Sequence, residues 1–223
     1  PYTPLHYLLF ADLGRPDFEN IIATGLVMTS GNLSEEPIAV QNIEAMERLS
    51  GIADAFLLHN RLIYSRCDDS VYRIFVKKNI ESLSNESESD SINYPLRRSR
   101  GFAPNPFILP FHSQPILATG ADLKNTFGFL RDKYAIISHH IGDLENLQTL
   151  HTFEHTIEHM KKIFEVDPSL IVHDLHPEYL STKWVQENAN IPGAAVQHHY
   201  AHILSVMAEH NVEDDIIGIA LDG

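Results

Sequence analysis

The chain has 223 residues, of which 43% are hydrophobic and 21% are charged, so it can fill the core of one large globular domain or two small ones. Its formal net charge of −14 argues against nucleic acid as a partner, and without an apolar run of about 18 residues we expect no transmembrane helix and no membrane partner. The single cysteine, Cys67, excludes an internal disulfide framework and predicts a reducing, cytoplasmic compartment.

The first part of the chain predicts short strands, polar loops and helices. Residues 26–40, LVMTSGNLSEEPIAV, indicate a strand, a loop and a helix that begins between Glu35 and Ala39. The segment NIEAMERLSGI has apolar residues at helical spacing and ends at Gly51. The segments AFLLHN and VYRIFV have the branched and aromatic content of strands. Residues 79–94 are acidic and serine-rich, which predicts a mobile excursion between two strands.

The second part predicts strands that alternate with helices, after a proline-rich linker at residues 109–114. PILATGADLKNTFGFL indicates a strand, a glycine turn and a strand, and apolar residues recur at helical spacing over residues 145–164. SLIVHDL, GAAVQH and IIGIALDG indicate three more strands, separated by two helices. This alternation predicts a parallel or mixed sheet covered by helices.

Two loops have residues that suit the binding of phosphate groups. In TSGN, the residues Thr29, Ser30 and Asn32 lie before a predicted helix start, where hydroxyl, amide and backbone N–H groups can donate to phosphate. In TGADLKNTF, the residues Lys124 and Asn125 lie in a strand–turn–strand unit whose backbone can wrap phosphates. An ordinary N-cap turn is the alternative for the first loop, and a simple hairpin is the alternative for the second.

Two further segments concentrate charge. In SRCDDSVYR, Asp69 and the aspartate before it can hold Mg²⁺ beside a nucleotide, with Arg66 and Ser70 close by in the sequence. In RRSR, Arg98 and Arg100 offer guanidinium groups that suit phosphate and carboxylate oxygens. The alternatives are surface ion pairs for the first segment and an exposed basic turn for the second.

Three histidines occur within five residues of the segment AAVQHHYAHILSVMAEH. His198 and His202 are four residues apart, so a helix places them on one face at the spacing of metal ligands. His199 points about 100° away and is expected to take no part. Two ligands are too few for a structural zinc site, so a third is expected either from Asp222 or from beyond Gly223. A capped surface helix without metal is the alternative.

Nine blocks, in order along almost the whole chain, resemble the hydrogenase maturation carbamoyltransferases of the HypF family. These blocks are PYTPLHYLL, VMTSGNLSEEPI, IADAFLLHNR, RCDDSVYR, LRRSRGFAP, PILATGADLKNTF, HHIGDLENL, VHDLHPEYLST and VQHHYAHILSVMAEH. Because the blocks keep the order of the family, their combination is far more specific than any one of them.

The resemblance implies an α/β fold in two partial modules. Residues 1–108 resemble the C-terminal part of a YrdC-like twisted α/β sheet domain, which binds ATP and makes carbamoyl-adenylate. After the linker at 109–114, residues 115–223 resemble the N-terminal part of a threonylcarbamoyl-transferase-like domain, an actin/hsp70-type (ASKHA) α/β lobe. In the family, that domain passes the carbamoyl group to the C-terminal cysteine of the partner HypE, for synthesis of the cyanide ligands of NiFe-hydrogenase.

The resemblance also implies roles for particular residues. Ser30 and Asn32 fall at a nucleotide contact of the family, and the arginines of RCDD and RRSR become phosphate or carbamate contacts. TGADLKN falls at the first phosphate hairpin, and Asp222 falls where the second begins. His198 and His202 match the metal ligands of the family. The implied cofactors are ATP with Mg²⁺ and one divalent metal, zinc or iron; the implied small-molecule substrates are carbamoyl phosphate and ATP.

We expect a fragment of a longer protein, because the chain starts at Pro1 and ends as a predicted strand reaches Asp-Gly. The acylphosphatase and CxxC zinc-finger segments of the family are missing, so the fragment is expected to be inactive alone. Two alternatives stay open: a tRNA threonylcarbamoyladenosine-type modification enzyme, and a non-enzymatic acidic α/β binding module.

Overall fold

The computed structural model describes residues 4–13, 25–33, 36–76, 91–187 and 190–222, and the chain forms two compact units, residues 1–30 and 31–223. The first unit contains helix α1, Pro4–Leu13, with the largely apolar sequence PLHYLLFADL. Residues 25–30 of this unit are irregular, so the strand predicted for LVM is wrong.

The second unit contains helix α2, Asn42–Leu49, which confirms the helical spacing of NIEAMERL. The Glu44 carboxylate accepts hydrogen bonds from two backbone N–H groups just before the helix, where a helix start leaves donors without internal partners. The earlier helix start predicted between residues 35 and 39 is wrong for the described residues. Residues 36–40 are irregular, and the Ala39 N–H donates to the Gly31 carbonyl.

Strands β1, Val71–Val76, and β2, Ser91–Arg97, form a two-stranded antiparallel sheet. The strand predicted for VYRIFV is therefore confirmed. The strand predicted for AFLLHN is wrong: residues 55–60 are irregular, and Leu57 is 75% exposed. Of the excursion predicted for residues 79–94, the last four belong to β2, and the rest lies outside the described residues.

The main sheet has four strands in the order β4-β3-β5-β6. Strands β3, Phe107–Ala118, and β4, Gly128–Ile137, are antiparallel, whereas β5, Leu170–Asp174, and β6, Gly193–Val196, add to β3 in parallel. The sheet is thus mixed, as the alternation of strands and helices predicted.

Residues 109–114, which the sequence predicts as a linker, lie inside β3. The register between β3 and β4 shifts between Ile108 and Ser113 and again before Ile116, so this part of the strand pairs irregularly. Prolines 110 and 115 have no N–H to donate, which accounts for the broken ladder. The boundary between two modules at this point stays a prediction.

Three helices accompany the main sheet: α3, Leu147–Phe164; α4, Leu180–Glu187; and α5, His198–His210. Helix α3 confirms the helical spacing seen over residues 145–164, and it buries Phe153 and Ile157 in the core. The ring of Phe153 meets Phe127 edge-on at 5.7 Å between centroids, and Phe127 meets Phe129 in the same way. These aromatic contacts join α3 to the region where β4 begins.

Beyond α5, the chain is irregular up to residue 222, so the strand predicted for IIGIALDG is wrong. Ile217 and Leu221 are 94% and 95% exposed, which shows that the apolar side chains of this segment find no sheet to join within the described residues. None of the helices in the described part of the chain has the length and apolar character to cross a membrane.

Candidate metal site and neighbouring polar residues

The histidine segment lies where strand β6 ends and helix α5 begins. Gln197 is the N-cap of α5, and its side-chain oxygen accepts a hydrogen bond from the Tyr200 N–H at 2.7 Å. The helix therefore starts at His198 and places His202 one turn later on the same face. His199 lies off this face, and its Nδ1 is 2.8 Å from the Gln197 side-chain nitrogen.

The side chains of His198, His202 and Asp222 converge. The Nε2 atoms of the two imidazoles are 3.2 Å apart, and each lies 3.1 Å from Oδ2 of Asp222. Within the described residues, this is the group of three metal-ligating side chains whose ligand atoms lie within 4.8 Å of one another. The structure thus brings Asp222, one of the two predicted sources of a third ligand, to the histidine pair.

The geometry of this group suits a divalent metal. Ligand atoms about 2.0–2.1 Å from a tetrahedral zinc ion are about 3.3 Å apart, close to the separations of this triangle. Two imidazole nitrogens and one carboxylate oxygen form a donor set that zinc and iron both accept. Unprotonated imidazole nitrogens and a carboxylate oxygen are all acceptors, so a cation between them would relieve their mutual repulsion. His202 and Asp222 are exposed, which leaves room for further ligands.

Asp174, at the end of β5, contacts the group from the protein side. Its Oδ2 lies 2.7 Å from Nδ1 of His198, and its side chain is only 8% exposed. The hydrogen bond to Asp174 is the main reason that the pKa of His198 is raised. Hydrogen bonding by His202 is the main cause that lowers the pKa of Asp222. The carboxylates of Asp174 and Asp222 therefore favour a positive charge at His198, which contacts both of them.

Tyr179 is a second neighbour that the sequence did not single out. Its ring meets the His198 ring edge-on at 6.5 Å between centroids, and it stacks on His176 at 4.3 Å. Desolvation, followed by the charges of Asp174 and other nearby aspartates, raises the pKa of its hydroxyl group. Asp174 and Tyr179 both lie in VHDLHPEYLST, and the position of Asp174 at the end of a buried strand was the available signal.

The predicted TSGN residues fall in two different units. Thr29 and Ser30 are exposed members of the first unit. Asn32 belongs to the second unit, where its amide donates to the carbonyl oxygens of Leu33 and Glu36 at 2.9 and 3.0 Å. Asn32 therefore stabilises a turn within its own unit.

Asp69, Ser70 and Arg100 are brought together. Asp69 and Arg100 pair through an isolated bridge and an ion pair of 3.5 Å, and the Ser70 hydroxyl donates to the Arg100 carbonyl. Arg98 lies close by in the chain, where its guanidinium donates to the Phe102 carbonyl and lies 4.3 Å above the Phe107 ring centroid. These residues join the segment before β1 to the segment after β2.

Arg66 lies in a separate network. Its guanidinium donates to the Ile38 carbonyl at 2.8 Å, to the Glu44 carboxylate at 3.1 Å and to the Thr152 hydroxyl at 3.5 Å. Its donors thus already have protein partners on three different segments, which suits a structural role.

Lys124 and Asn125 lie in the loop between β3 and β4. The Lys124 side chain is exposed, and its backbone N–H donates to Asp143 at 2.5 Å. The Asn125 amide is 1% exposed and donates to the carbonyl oxygens of Thr119 and Ala121. Asn125 therefore stabilises the loop through buried hydrogen bonds, whereas the Lys124 side chain is exposed and can contact a ligand.

Two protein families match the chain. Residues 111–209 match the HypF Kae1-like domain, and residues 1–84 match the Sua5/YciO/YrdC family, described as "Telomere recombination".

Curated relatives match the chain along its whole length. The chain is 42% identical to Carbamoyltransferase HypF2 of Cupriavidus necator over 231 residues and 43% identical to Carbamoyltransferase HypF of Synechocystis over 224 residues. It spans 27% and 26% of these relatives, so it corresponds to about a quarter of their length.

Solved structures of HypF proteins match the fold. A full-length HypF in a phosphate- and nucleotide-bound form matches the whole chain with a TM-score of 0.82 and 45% identity, and the chain covers 32% of it. The HypF of T. kodakarensis matches 88% of the chain with a TM-score of 0.75 and 44% identity, and the chain covers 24% of it. The predicted resemblance to HypF and the predicted α/β fold, with YrdC-like and ASKHA-type parts, are confirmed.

Proposed function

Because this chain is homologous over its whole length to the HypF carbamoyltransferases, we propose that it contributes to an ATP-dependent carbamoyl transfer of the same kind. In this proposal, the region that includes residues 31–108 helps to make carbamoyl-adenylate from carbamoyl phosphate and ATP with Mg²⁺. The region from residue 115 helps to pass the carbamoyl group to a protein thiol. The observation that carries the proposal is the similarity along the entire chain.

The group formed by His198, His202 and Asp222 supports a metal centre in the second region. Three protein ligands that leave open positions are typical of catalytic rather than structural zinc sites. A divalent metal held there would supply a Lewis acid that polarises a carbonyl or phosphoryl oxygen. The two imidazoles and the carboxylate would hold the metal, and the exposed side of the group would admit the oxygen atoms of a substrate.

Nucleotide binding is supported by one solved relative, a full-length HypF in a phosphate- and nucleotide-bound form. In this chain, we assign phosphate contacts to Arg98, Arg100 and Ser70, with Asp69 beside Mg²⁺, because Asp69, Ser70 and Arg100 contact one another and Arg98 lies two residues before Arg100. Thr29, Ser30 and Asn32 remain proposed nucleotide contacts, as do Lys124, Asn125 and Asp222. Arg66 and Asn125 are the weakest of these assignments, since the Arg66 guanidinium already donates to three protein groups and the Asn125 amide is buried with its N–H groups donated to two carbonyl oxygens.

The proposed acceptor is the C-terminal cysteine of HypE. Its thiolate sulfur would bond to the carbamoyl carbon of carbamoyl-adenylate, the bond from that carbon to the phosphate oxygen would break, and AMP would leave. The product is a thiocarbamate, and the thiol proton is lost to solvent. The net charge of −14 disfavours nonspecific attraction to tRNA, which supports a protein acceptor over the nucleic-acid alternative.

The test uses the full-length protein with ATP, carbamoyl phosphate and purified HypE. We expect pyrophosphate exchange into ATP that depends on carbamoyl phosphate, and a HypE C-terminal peptide that gains one carbamoyl group in mass spectrometry. HypE without its C-terminal cysteine is the control for the acceptor. If ATP binds normally but no exchange occurs, the proposal is wrong. Formation of threonylcarbamoyl-adenylate from threonine and bicarbonate would support the tRNA-modifying alternative instead.

A further inference from the structure

The Asp174 backbone is held in a constant position relative to the start of helix α5. Asp174 pairs with Val196 in the parallel ladder of β5 and β6, and the next N–H, of Leu175, donates to the Val196 carbonyl at 2.9 Å. The Thr182 hydroxyl donates to the Asp174 carbonyl at 3.0 Å. Because His198 follows Val196 by two residues, the same strand pairing sets the distance between Asp174 and His198.

Both carboxylate oxygens of Asp174 are engaged. Oδ1 accepts a hydrogen bond from the His176 N–H at 2.8 Å, and Oδ2 lies 2.7 Å from Nδ1 of His198. The side chain is 8% exposed, so water competes little for these oxygens. A backbone donor thus holds one oxygen of the carboxylate, and the other oxygen faces the imidazole of His198.

This contact decides which imidazole nitrogen carries the proton. An ionised carboxylate only accepts hydrogen bonds, so Nδ1 of His198 must be the donor. Nε2 of the neutral ring is then unprotonated, and Nε2 is the atom that points at His202 and Asp222. A neutral imidazole with no such partner carries its proton mainly on Nε2, where it would block a metal.

We propose that Asp174 is a positioning residue that holds His198 in the Nδ1-protonated form and orients its Nε2 toward a divalent metal bound by His198, His202 and Asp222. This inference rests on the metal centre proposed above and goes beyond it by assigning the residue that prepares the ligand. Asp174 is not itself a ligand, since its Oδ2 faces the opposite nitrogen of the ring. Carboxylates that hold a ligating histidine in this way strengthen metal binding about 10- to 100-fold.

The first measurement needs no metal. Nitrogen-15 NMR of histidine-labelled, metal-free full-length protein at a pH where the imidazoles are neutral reports which nitrogen of each ring is protonated. The His198→Gln variant identifies the signals of that ring. We expect His198 to carry its proton on Nδ1. A proton on Nε2 of His198 would overturn the proposal, whether or not the protein binds metal.

The second measurement titrates zinc chloride into wild-type protein and Asp174→Asn by calorimetry. The asparagine amide can donate to Nδ1 and so leave the proton on Nε2, and we expect zinc affinity to fall about 10- to 100-fold. The matched control is Asp122→Asn, because the Asp122 carboxylate accepts the Leu180 and Ser181 N–H groups and does not contact His198. We expect this control to lose stability while its zinc affinity changes less than about threefold.

The outcomes separate the two proposals. Equal zinc affinity in folded Asp174→Asn and wild type would overturn the positioning role. Absence of zinc binding by wild type would overturn the metal centre, and the NMR result would then still decide whether Asp174 sets the proton position.

Discussion

The Glu44 carboxylate of helix α2 accepts a hydrogen bond from the Arg66 guanidinium at 3.1 Å, and this pair connects α2 to the segment before β1. Arg66 also reaches the Thr152 hydroxyl, and the Gln148 amide of α3 donates to Glu44 at 3.2 Å. Arg48 donates to the same carboxylate from α2 itself. Glu44 is thus a half-buried acceptor shared by three segments.

We expect Glu44→Gln to destabilise the protein by about 1–3 kcal/mol at pH 7, because hydrogen bonds to charged groups are lost. Burial opposes ionisation of Glu44, but hydrogen bonds from the Val40 and Gln41 N–H groups, the charge of Arg66 and a hydrogen bond from Arg48 together lower its pKa. A lowered carboxyl pKa contributes stability above the unfolded pKa near 4.5, and this is lost as the pH falls through the folded value. Urea denaturation should therefore show a larger difference in stability between wild type and Glu44→Gln at pH 7 than in acid, below about pH 4.

The same network tests the role of Arg66. If Arg66 is structural, Arg66→Met should lower stability by a similar amount and leave ATP affinity within about threefold of wild type. A large loss of ATP affinity with unchanged stability would instead place Arg66 among the nucleotide contacts.

The histidine helix gives a prediction with an internal control. We expect His198→Ala and His202→Ala to lower zinc affinity more than about 100-fold, because each would remove one of the proposed ligands. His199→Ala should bind zinc as the wild type does, since its side chain faces Gln197. Elemental analysis after dialysis measures the bound metal. Zinc lost equally in all three variants would indicate a general structural effect, and a metal-free wild type would support the non-enzymatic alternative.

His139 predicts a pH dependence of stability. Burial lowers the pKa of His139, and burial followed by the Arg97 charge lowers that of His140. The ordinary pKa of histidine, which applies in the unfolded chain, is 6.5. Below this pH the unfolded chain binds protons that the folded imidazoles do not bind, so the free energy of unfolding falls as the pH decreases toward the folded pKa. The double variant His139→Gln with His140→Gln should flatten this dependence in thermal denaturation between about pH 5 and 7.

The control for that experiment is His59→Gln, which alters an exposed histidine. A control that flattens the profile as much as the double variant would contradict the assignment to the half-buried pair His139 and His140.

Gly120 tests the geometry of the loop between β3 and β4. Its φ is +71°, and a Cβ on this residue would overlap the Thr126 carbonyl oxygen, so there is no space for a side chain. Gly120→Ala should cost more than about 3 kcal/mol, because steric overlap adds to backbone strain. Gly101→Ala has a similar φ of +87° but open space, and should cost only about 1–2 kcal/mol. Equal losses by urea denaturation would show that the loop moves aside.

Structural features that depend on residues close together in the sequence were predicted well. Helical spacing over residues 145–164 and the four-residue spacing of His198 and His202 reflect the 3.6-residue helical period, and both agree with α3 and α5. The strands of AFLLHN and IIGIALDG were predicted wrongly, because apolar composition indicates that a segment can pair but not that a partner strand is present.

The same distinction, between features set by nearby residues and features set by distant ones, applies to the candidate site. The sequence by itself determined the histidine pair, its shared helix face and the relationship to HypF, since these depend on local spacing and on the order of nine blocks. Only the tertiary structure decided that Asp222 completes the group and that Asp174 lies behind His198. The latter contact depends on the parallel register of β5 and β6, and a pairing between strands about 20 residues apart leaves no periodic trace in the sequence.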